Sequence, residues 1–385
     1  MTKTNISMRH NMKTSRIYSI IGALVLAWCV ASGASAQEKS TFTLMSLNVD
    51  GLPGKIFVFN VNPDGPKSAG SERVSEYLAK KDCDILCLQE DFNYRWEIWS
   101  RLFAGYEHDE WSGGVIVEEK DIDFAHLQNL KFECDGLNML WKKDVQDTGY
   151  ERVVWNQCFG KFSHDFDDMI TKGFRRHDVT LADGQKVVVY NMHMDASSGR
   201  DEQKKNDARD KAARLSQWRQ LRDYIMEHLD SRPVIVAGDM NSYYCRDSVK
   251  TQFVDAINAS GKATCGDVWV EKCNGGSYPQ LDGEKPADET LDKILYINPV
   301  GGTQITPVSF TIDRTGYQYE GKPLGDHYPV IATFELDRMQ TAGIEAAEAQ
   351  GREQGVAYDL RGVVQDKKSK THGIRVVSGK KVLSR

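Results

Sequence analysis

Asp239 and Asn241 close a run of four apolar residues, Val234-Ile235-Val236-Ala237, with Gly238 between. Four apolar residues in a row read as a strand covered on both faces, and the glycine lets backbone or ligand come close. Side chains two apart on an extended chain share a face, so this carboxylate and carboxamide can act on one bound atom. Asp and Asn also favour turns, and on this stretch alone a capped strand end and a chemical site are equal readings. The same design recurs. An apolar strand over Thr41 to Leu47 ends at Asn48, before Val49-Asp50-Gly51-Leu52-Pro53-Gly54. A second, Ile85 to Leu88, ends in Gln89-Glu90, and a third, Val187-Val188-Val189-Tyr190-Asn191-Met192, delivers His193 and then Asp195. Asp292 stands near the start of an alternating strand, Leu291 to Ile297, and Gly325-Asp326-His327-Tyr328-Pro329 forms a polar turn into Val330 to Phe334. Taken singly, a lone histidine is more often structural, a Glu after such an apolar run is more often put to use than left as a solvated carboxylate, and the Asp-His pair could be only a turn. As a set, the oxygen ligands Asn48, Glu90 and Asp326 suit Mg²⁺ rather than a soft metal. His193, His327, Asp239 and Asp292 remain for proton transfer and orientation. Such an inventory fits metal-assisted attack of water on a phosphodiester, where charge develops on phosphoryl oxygens.

The elements between these strand ends must carry the positioning. Ser71 to Lys80 reads as a helix with Ser71 as its cap and Val74, Tyr77 and Leu78 on one face. Asp201 to Leu229 is a longer helical pattern, charged early and apolar later at Leu215, Trp218, Leu221, Tyr224 and Ile225. Asp135 to Leu140 is a turn into a strand, and Ser242 to Glu289 is loop-rich. Trp96, Trp99, Trp111, Trp141 and Trp155 follow no period and read as packing. Ser163-His164-Asp165-Phe166-Asp167-Asp168 could bind a cation, but reads more simply as a solvated loop.

The chain begins with Lys3, Arg9, Lys13 and Arg16 before an apolar run from Ile17 to Val30 and small residues at Ala34-Ser35-Ala36. Residues 1–36 therefore read as a cleaved signal peptide, the run being shorter than the ~20 residues of a membrane span. The mature protein is expected to be secreted or cell-surface. The formal net charge of −6 becomes more acidic without that leader. This counts against tight sequence-independent binding of nucleic acid, which relies on Lys and Arg. Seven cysteines stay behind, Cys83, Cys87, Cys134, Cys158, Cys245, Cys265 and Cys273, and an odd number leaves one unpaired. Cys265 and Cys273 are the expected disulfide, and Cys87 reads as a small buried strand residue. Residues 37–338 read as one catalytic domain, 339–356 as a linker rich in Ala, Glu, Gln and Gly, and 357–385 as a tail of two or three short strands. That tail resembles sorting segments of secreted Bacteroidetes proteins.

Asn48, Leu88-Gln89-Glu90, Asn191-Met192-His193, Gly238-Asp239-Met240-Asn241, Leu291-Asp292-Lys293-Ile294-Leu295 and Asp326-His327-Tyr328-Pro329 occur in the order of the endonuclease/exonuclease/phosphatase superfamily. The resemblance implies an α/β (α+β) fold: a DNase I-like, four-layer αββα sandwich of two mixed β-sheets flanked by helices, with the site at one rim. It implies that Asn48 and Glu90 hold Mg²⁺, for which Mn²⁺ or Co²⁺ could substitute, with Asp326 near the metal. Asp239 would activate or orient water with help from Asn241. His193 and His327 would stabilise phosphoryl oxygens or assist the leaving group, and Asp292 would orient His327. Within the superfamily the chain resembles neutral sphingomyelinases most, in Asn48 through Leu52-Pro53-Gly54, Lys172-Gly173-Phe174 and His193-Met194-Asp195-Ala196. Thr171 stands where that branch usually has Asn, and Gly325 where it often has Ser. The branch implies a monomeric enzyme acting on a phospholipid or sphingolipid at a membrane surface. Lys172 would contact phosphate, or be a structural surface lysine. Trp269 and Tyr278 are candidates for membrane docking, or are packed. A secreted endonuclease or phosphoinositide phosphatase on the same scaffold, and a non-catalytic binding module, are the alternatives; the filled polar positions count against the last.

Overall fold

Alternation of side chains along the strands decides which layer each residue joins. The computed structural model describes residues 39–337, apart from 57–58, 61, 112–115, 119–120, 123–126, 129–130, 161–166 and 198–206, together with strands in the C-terminal segment. The expected leader (1–36) and linker (339–356) lie outside the described residues. In β1 (Ser40–Asn48), Phe42 and Leu44 enter one apolar core while Met45 and Leu47 enter another. Helix α1 (Lys67–Lys81) packs Val74, Tyr77 and Leu78 against that second core and leads to β2 (Ile85–Gln89). There follow α2 (Arg95–Trp99), β3 (Tyr106–His108), β4 (Asn138–Lys142), β5 (Gln146–Val154), β6 (Gly173–Thr180), β7 (Lys186–His193) and α3 (Ala208–Glu227). The chain continues through β8 (Val234–Asp239), α4 (Asp255–Ala259), β9 (Ala263–Asp267), α5 (Val268–Cys273), β10 (Asp292–Pro299), β11 (Ile305–Ile312) and β12 (Val330–Leu336). This order omits the short ladders outside the two main sheets.

Two six-stranded sheets result, ordered β11-β12-β1-β2-β4-β3 and β5-β6-β7-β8-β10-β9. Each is mixed. The parallel pairs β1–β2 and β7–β8 are joined by α1 and α3, and their neighbours run antiparallel. The sheets share a core that includes Leu44, Cys87 and Met139 from one and Val189, Ile235 and Ala237 from the other. Helix α1 covers the outer face of the first sheet, and α3 covers that of the second, where the Tyr224 ring meets Phe174 edge-on at 5.1 Å. The four-layer sandwich is the expected fold. Its parallel pairs place the ends of β1, β2, β7 and β8 at one rim.

Local boundaries depart from the sequence reading. Helix α1 starts at Lys67, one turn early and directly after Pro66; Ser71 is buried inside the helix rather than capping it. Asp207 caps α3 by accepting from Arg209 N–H at 2.8 Å. The stretch expected to be loop-rich, Ser242 to Glu289, holds a π-type turn (Lys250–Val254), α4, β9 and α5. These pieces are too short to show a period, and burial of Phe253, Ile257, Val268 and Trp269 holds them. Cys265 is buried on β9 and Cys273 exposed on α5, and both are free thiols, so the expected disulfide is not formed. The C-terminal segment carries Ala357–Tyr358, Val364–Gln365, Gly373–Val377 and Lys380–Ser384 in one antiparallel sheet.

Candidate active site

Register brings the first three groups together. His193 pairs with Asp239 across β7–β8, and Asp239 pairs with Asp292 across β8–β10, so one rung of the second sheet carries all three. Facing them, Asn48 pairs with Gln89 at the ends of β1 and β2. Buried polar contacts stitch the sheets behind the rim: Gln89 Nε2 donates to Asn191 Oδ1 at 2.7 Å, and Asn191 Nδ2 donates to the carbonyls of Leu88 and Asn138, both at 3.0 Å.

At the rim the chain turns sharply. Asp50, Glu90 and Asn241 adopt φ of 53°, 54° and 45°, a left-handed conformation uncommon for side chains larger than glycine. Gly51 approaches so closely that a Cβ there would lie 2.3 Å from the Glu90 carbonyl oxygen. These turns swing polar groups inward. Asn48 Nδ2 donates to Glu90 Oε1 at 2.8 Å and to Asp239 Oδ2 at 3.1 Å, while its Oδ1 accepts from Asp50 N–H at 2.9 Å. Asn241 donates its backbone N–H to Asp239 Oδ1 at 3.0 Å and its side-chain amide to the Met194 carbonyl at 3.1 Å.

The two histidines occupy different electrostatic positions. His327 Nδ1 bonds Asp292 Oδ2 at 2.8 Å, and its Nε2 stands 3.6 Å from Asp239 Oδ2. Burial would push its pKa down, but Asp292 and Asp239 outweigh this and hold it well above 6.5, as an imidazolium. His193 Nε2 stands 3.1 Å from Lys172 Nζ. An ammonium only donates, so Nε2 accepts and the proton resides on Nδ1. Burial and the Lys172 charge hold His193 well below 6.5, as neutral imidazole. Burial opposes ionisation of Asp239 too, yet the facing His327 imidazolium and the bonds from Asn241 and Asn48 keep its pKa below the usual carboxylate value.

Asp50, Glu90 and Asp326 form the acidic side. Burial, then the Asp326 charge, pushes the Glu90 carboxyl up to about 7. Burial, Asp326 and Glu90 push Asp50 up to about 8. Asp326 itself is exposed. Glu90, His193 and Asp239 each present a ligand atom within 4.8 Å of the others, as do Asp239, Asp292 and His327. Mutually repelling carboxylates beside an amide oxygen with a spare lone pair fit a hard divalent cation.

All nine residues singled out from the sequence, Asn48, Glu90, Lys172, His193, Asp239, Asn241, Asp292, Asp326 and His327, lie at this rim or directly behind it. Lys172 is not a surface residue. It is 4% exposed and paired with buried Asp167, so the Asp167 part of the acidic stretch is a buried ion pair rather than a solvated loop. Residues 163–166 of that stretch lie outside the described residues. Trp269 is buried, and Tyr278 packs edge-on against Tyr244 at 5.0 Å, so neither is free to dock on a membrane. Sequence reasoning missed Asp50. The available signal was its spacing from Asn48, the same two-residue step that joins Asp239 to Asn241.

The pattern of the Endonuclease/Exonuclease/phosphatase family matches residues 45–253. The chain belongs to this family. The match takes in Asn48, Glu90, Lys172, His193, Asp239 and Asn241. Relatives include sphingomyelinases of Mycobacterium bovis and Mycobacterium tuberculosis, 30% identical over 206 residues. That similarity covers 52% of this chain and 36% of the mycobacterial proteins, so the chain corresponds to about a third of their length. Among solved structures, humanized D. rerio TDP2 with 14 mutations superposes with a TM-score of 0.52 at 17% identity, covering 76% of this chain and 98% of that one. An endonuclease/exonuclease/phosphatase family protein of Bacteroides thetaiotaomicron does so with a TM-score of 0.51 at 15% identity, covering 79% and 98%. Both are similar in fold.

Proposed function

We propose that the protein is a divalent-metal-dependent phosphodiesterase, with Mg²⁺ as its ion, that hydrolyses sphingomyelin or a related phospholipid to ceramide and phosphocholine. The observation that carries this reading is one rim holding a cation-seeking acidic group (Asn48, Asp50, Glu90, Asp326) beside a proton-handling group (Asp239, Asn241, His327, Asp292). The identity shared with mycobacterial sphingomyelinases favours a lipid diester.

Asn48, Glu90 and Asp326 would hold the cation, which when bound supplies Lewis-acid polarisation of the phosphoryl group. The residues divide the remaining work. Asp239, held ionised, takes a proton from the attacking water, and Asn241 fixes its other oxygen. The His327 imidazolium faces the charge that grows on the phosphoryl oxygens and can give a proton to the leaving alkoxide. Asp292 holds that ring in place. His193, neutral and tied to Lys172, orients the Asp239 side of the site. Water adds across the P–O bond, yielding alcohol and phosphomonoester.

The reading also places the protein outside the cell, at a lipid surface. Trp96 (64% exposed) and Phe103 lie together on and just beyond α2, ring centroids 6.2 Å apart, with the Arg95 guanidinium over Trp96. Helix α2 begins five residues after Glu90, so this aromatic pair is the surface proposed to meet lipid in place of Trp269 and Tyr278. The deciding experiment is phosphocholine release from sphingomyelin vesicles with Mg²⁺ by wild type and Glu90→Ala. Release by wild type alone supports the reading. No release by folded, Mg²⁺-binding protein refutes the lipid assignment and turns the test to DNA and phosphoinositides.

A further inference from the structure

Arg95 is held differently from the buried arginines of the fold. Arg175 pairs with Asp109 at 2.8 Å and Asp135 at 3.0 Å, and Arg214 pairs with Asp247 at 3.0 Å. The half-buried guanidinium of Arg95 rests on indole rings instead, with its Cζ 4.1 Å from the centre of the Trp96 ring and 4.4 Å from that of Trp111. Its Nε is buried with no hydrogen-bond partner, and the guanidinium forms no ion pair among the described residues. Asp91 is near enough for its charge to act on Arg95, yet it does not pair with it. Asp91 Oδ2 accepts from Trp99 Nε1 at 2.7 Å and from Asn138 Nδ2 at 3.0 Å, and its Oδ1 is buried without a partner. Rings stacked on a guanidinium occupy its flat faces and leave free the edge that carries the N–H donors. Such an edge fits two oxygens of a phosphate, and a cation drawn partly out of water without a counter-ion is unfavourable. The arrangement points to an anion brought from outside.

The surroundings select the anion. Trp96 is 64% and Phe103 42% exposed, and both flank Arg95. The segment from Arg95 to Phe103 carries Arg95 and Arg101 against one acid, Glu97, whose Oε1 accepts from Ser68 Oγ at 2.9 Å. This is a basic, aromatic patch on a chain of formal net charge −6. A free phosphate would use the guanidinium and leave the rings in water. A phospholipid uses both, its phosphate on Arg95 and its interfacial region against the rings. A headgroup with its own ammonium would bring a second cation to Arg95, so a headgroup of net negative charge fits better. The patch is also tied to the catalytic rim: Trp111 Nε1 donates to the carbonyl of Asp91, the residue after Glu90, at 3.1 Å.

We propose that Arg95, held on Trp96 and Trp111, binds the phosphate of an anionic phospholipid that is not the substrate, and so directs the protein to negatively charged membranes. This deepens the lipid-facing role proposed for α2 and rests on that reading for the membrane. The anion site itself shares no residue with the hydrolytic groups.

The test is cosedimentation of the full-length protein, in chelator so that no hydrolysis runs, with phosphatidylcholine vesicles and with vesicles in which phosphatidylglycerol replaces part of that lipid. An acidic protein without such a site would be repelled by the second kind. Wild type is expected to bind them about fivefold more tightly than the first, the size of one basic contact at an anionic surface. Arg95→Gln should abolish that preference, and Arg95→Lys, which keeps the charge without the flat stacked fork, should lose most of it. Arg101→Gln removes the same charge from the same segment and should retain it. Thermal melting checks that each variant is folded, and the wild-type comparison needs no variant. Equal binding of wild type to both vesicles, equal losses in Arg95→Gln and Arg101→Gln, or full preference in Arg95→Lys would each overturn the site. So would calorimetric binding of soluble glycerophosphoglycerol as tight as that of the vesicles, or Arg95-dependent binding of a single-stranded oligonucleotide without a vesicle preference. Phosphocholine release with no anionic preference would sink this inference and leave the proposed function standing, and an Arg95-dependent preference without release would do the reverse.

Discussion

Asp292→Asn isolates the charge that holds His327 as an imidazolium. Asparagine keeps the shape and one hydrogen-bonding oxygen at 2.8 Å from Nδ1 but removes the negative charge. At that separation and an effective dielectric of about 20, the gross attraction is about 6 kcal/mol, and desolvation cancels part of it. Asp292 is 3% exposed and the His327 side chain 15%, so solvent cannot replace the lost partner. Removing one member of such a buried pair typically costs about 3–5 kcal/mol. That cost falls on stability; the catalytic loss follows from the general acid it unseats, a contribution of about 10²–10⁴-fold, so kcat at neutral pH should fall by about two to four decades. The pH dependence has a definite sign. The His327 pKa is raised on folding, so the pair's contribution to stability is fully present below the unfolded value of about 6.5 and is lost as pH rises through the higher folded value. In Asp292→Asn that contribution disappears, the His327 pKa falls, and the basic limb of the rate profile moves to lower pH. The assay is phosphocholine release from pH 5 to 9 for both proteins, with imidazole titration by NMR and thermal melting as controls. A variant within about threefold of wild type, with an unmoved His327 titration, would refute the assignment.

Metal affinity should climb as pH rises through about 7 to 8, because Glu90 and Asp50 titrate near about 7 and about 8 in the metal-free protein and protons compete with the ion. Calorimetry in buffers of different ionisation enthalpy should show proton release that shrinks above pH 8, and a pH-independent Kd would contradict it. Gly51→Ala places a methyl 2.3 Å from the Glu90 carbonyl oxygen and should cost about 1–3 kcal/mol of stability, together with metal affinity. Chemical denaturation and metal titration check it, and unchanged values in both would show that the turn yields freely. Trp96→Ala should leave stability within about 0.5 kcal/mol yet weaken vesicle binding roughly tenfold or more. Cosedimentation reads this, and equal lipid binding would remove α2 from the membrane-facing surface.

Much of the site was legible because each strand ends where its apolar run ends. Asn48, His193 and Asp239 terminate buried strands and Glu90 directly follows one, and burial on both faces leaves a uniform apolar signature that a polar residue visibly breaks. The short elements between Ser242 and Glu289 were not legible, since a five-residue helix or strand shows too little period and is stabilised by what it packs on. Trp269 and Trp96 show the same limit from the other side. Local sequence marks both as aromatic, and only packing makes the first core and leaves the second in solvent.

Local sequence therefore determined the strands, their polar ends and the chemical types gathered at them, because strand length, alternation and side-chain chemistry are properties of neighbouring residues. Tertiary structure decided the rest. Sheet register set His193, Asp239 and Asp292 on one rung, and contacts between residues 191 positions apart put Asn48 against Asp239. Burial then gave the two histidines opposite charge states, one beside Lys172 and one beside Asp292. Charge state depends on which groups face each other across space, and no stretch of sequence contains that information.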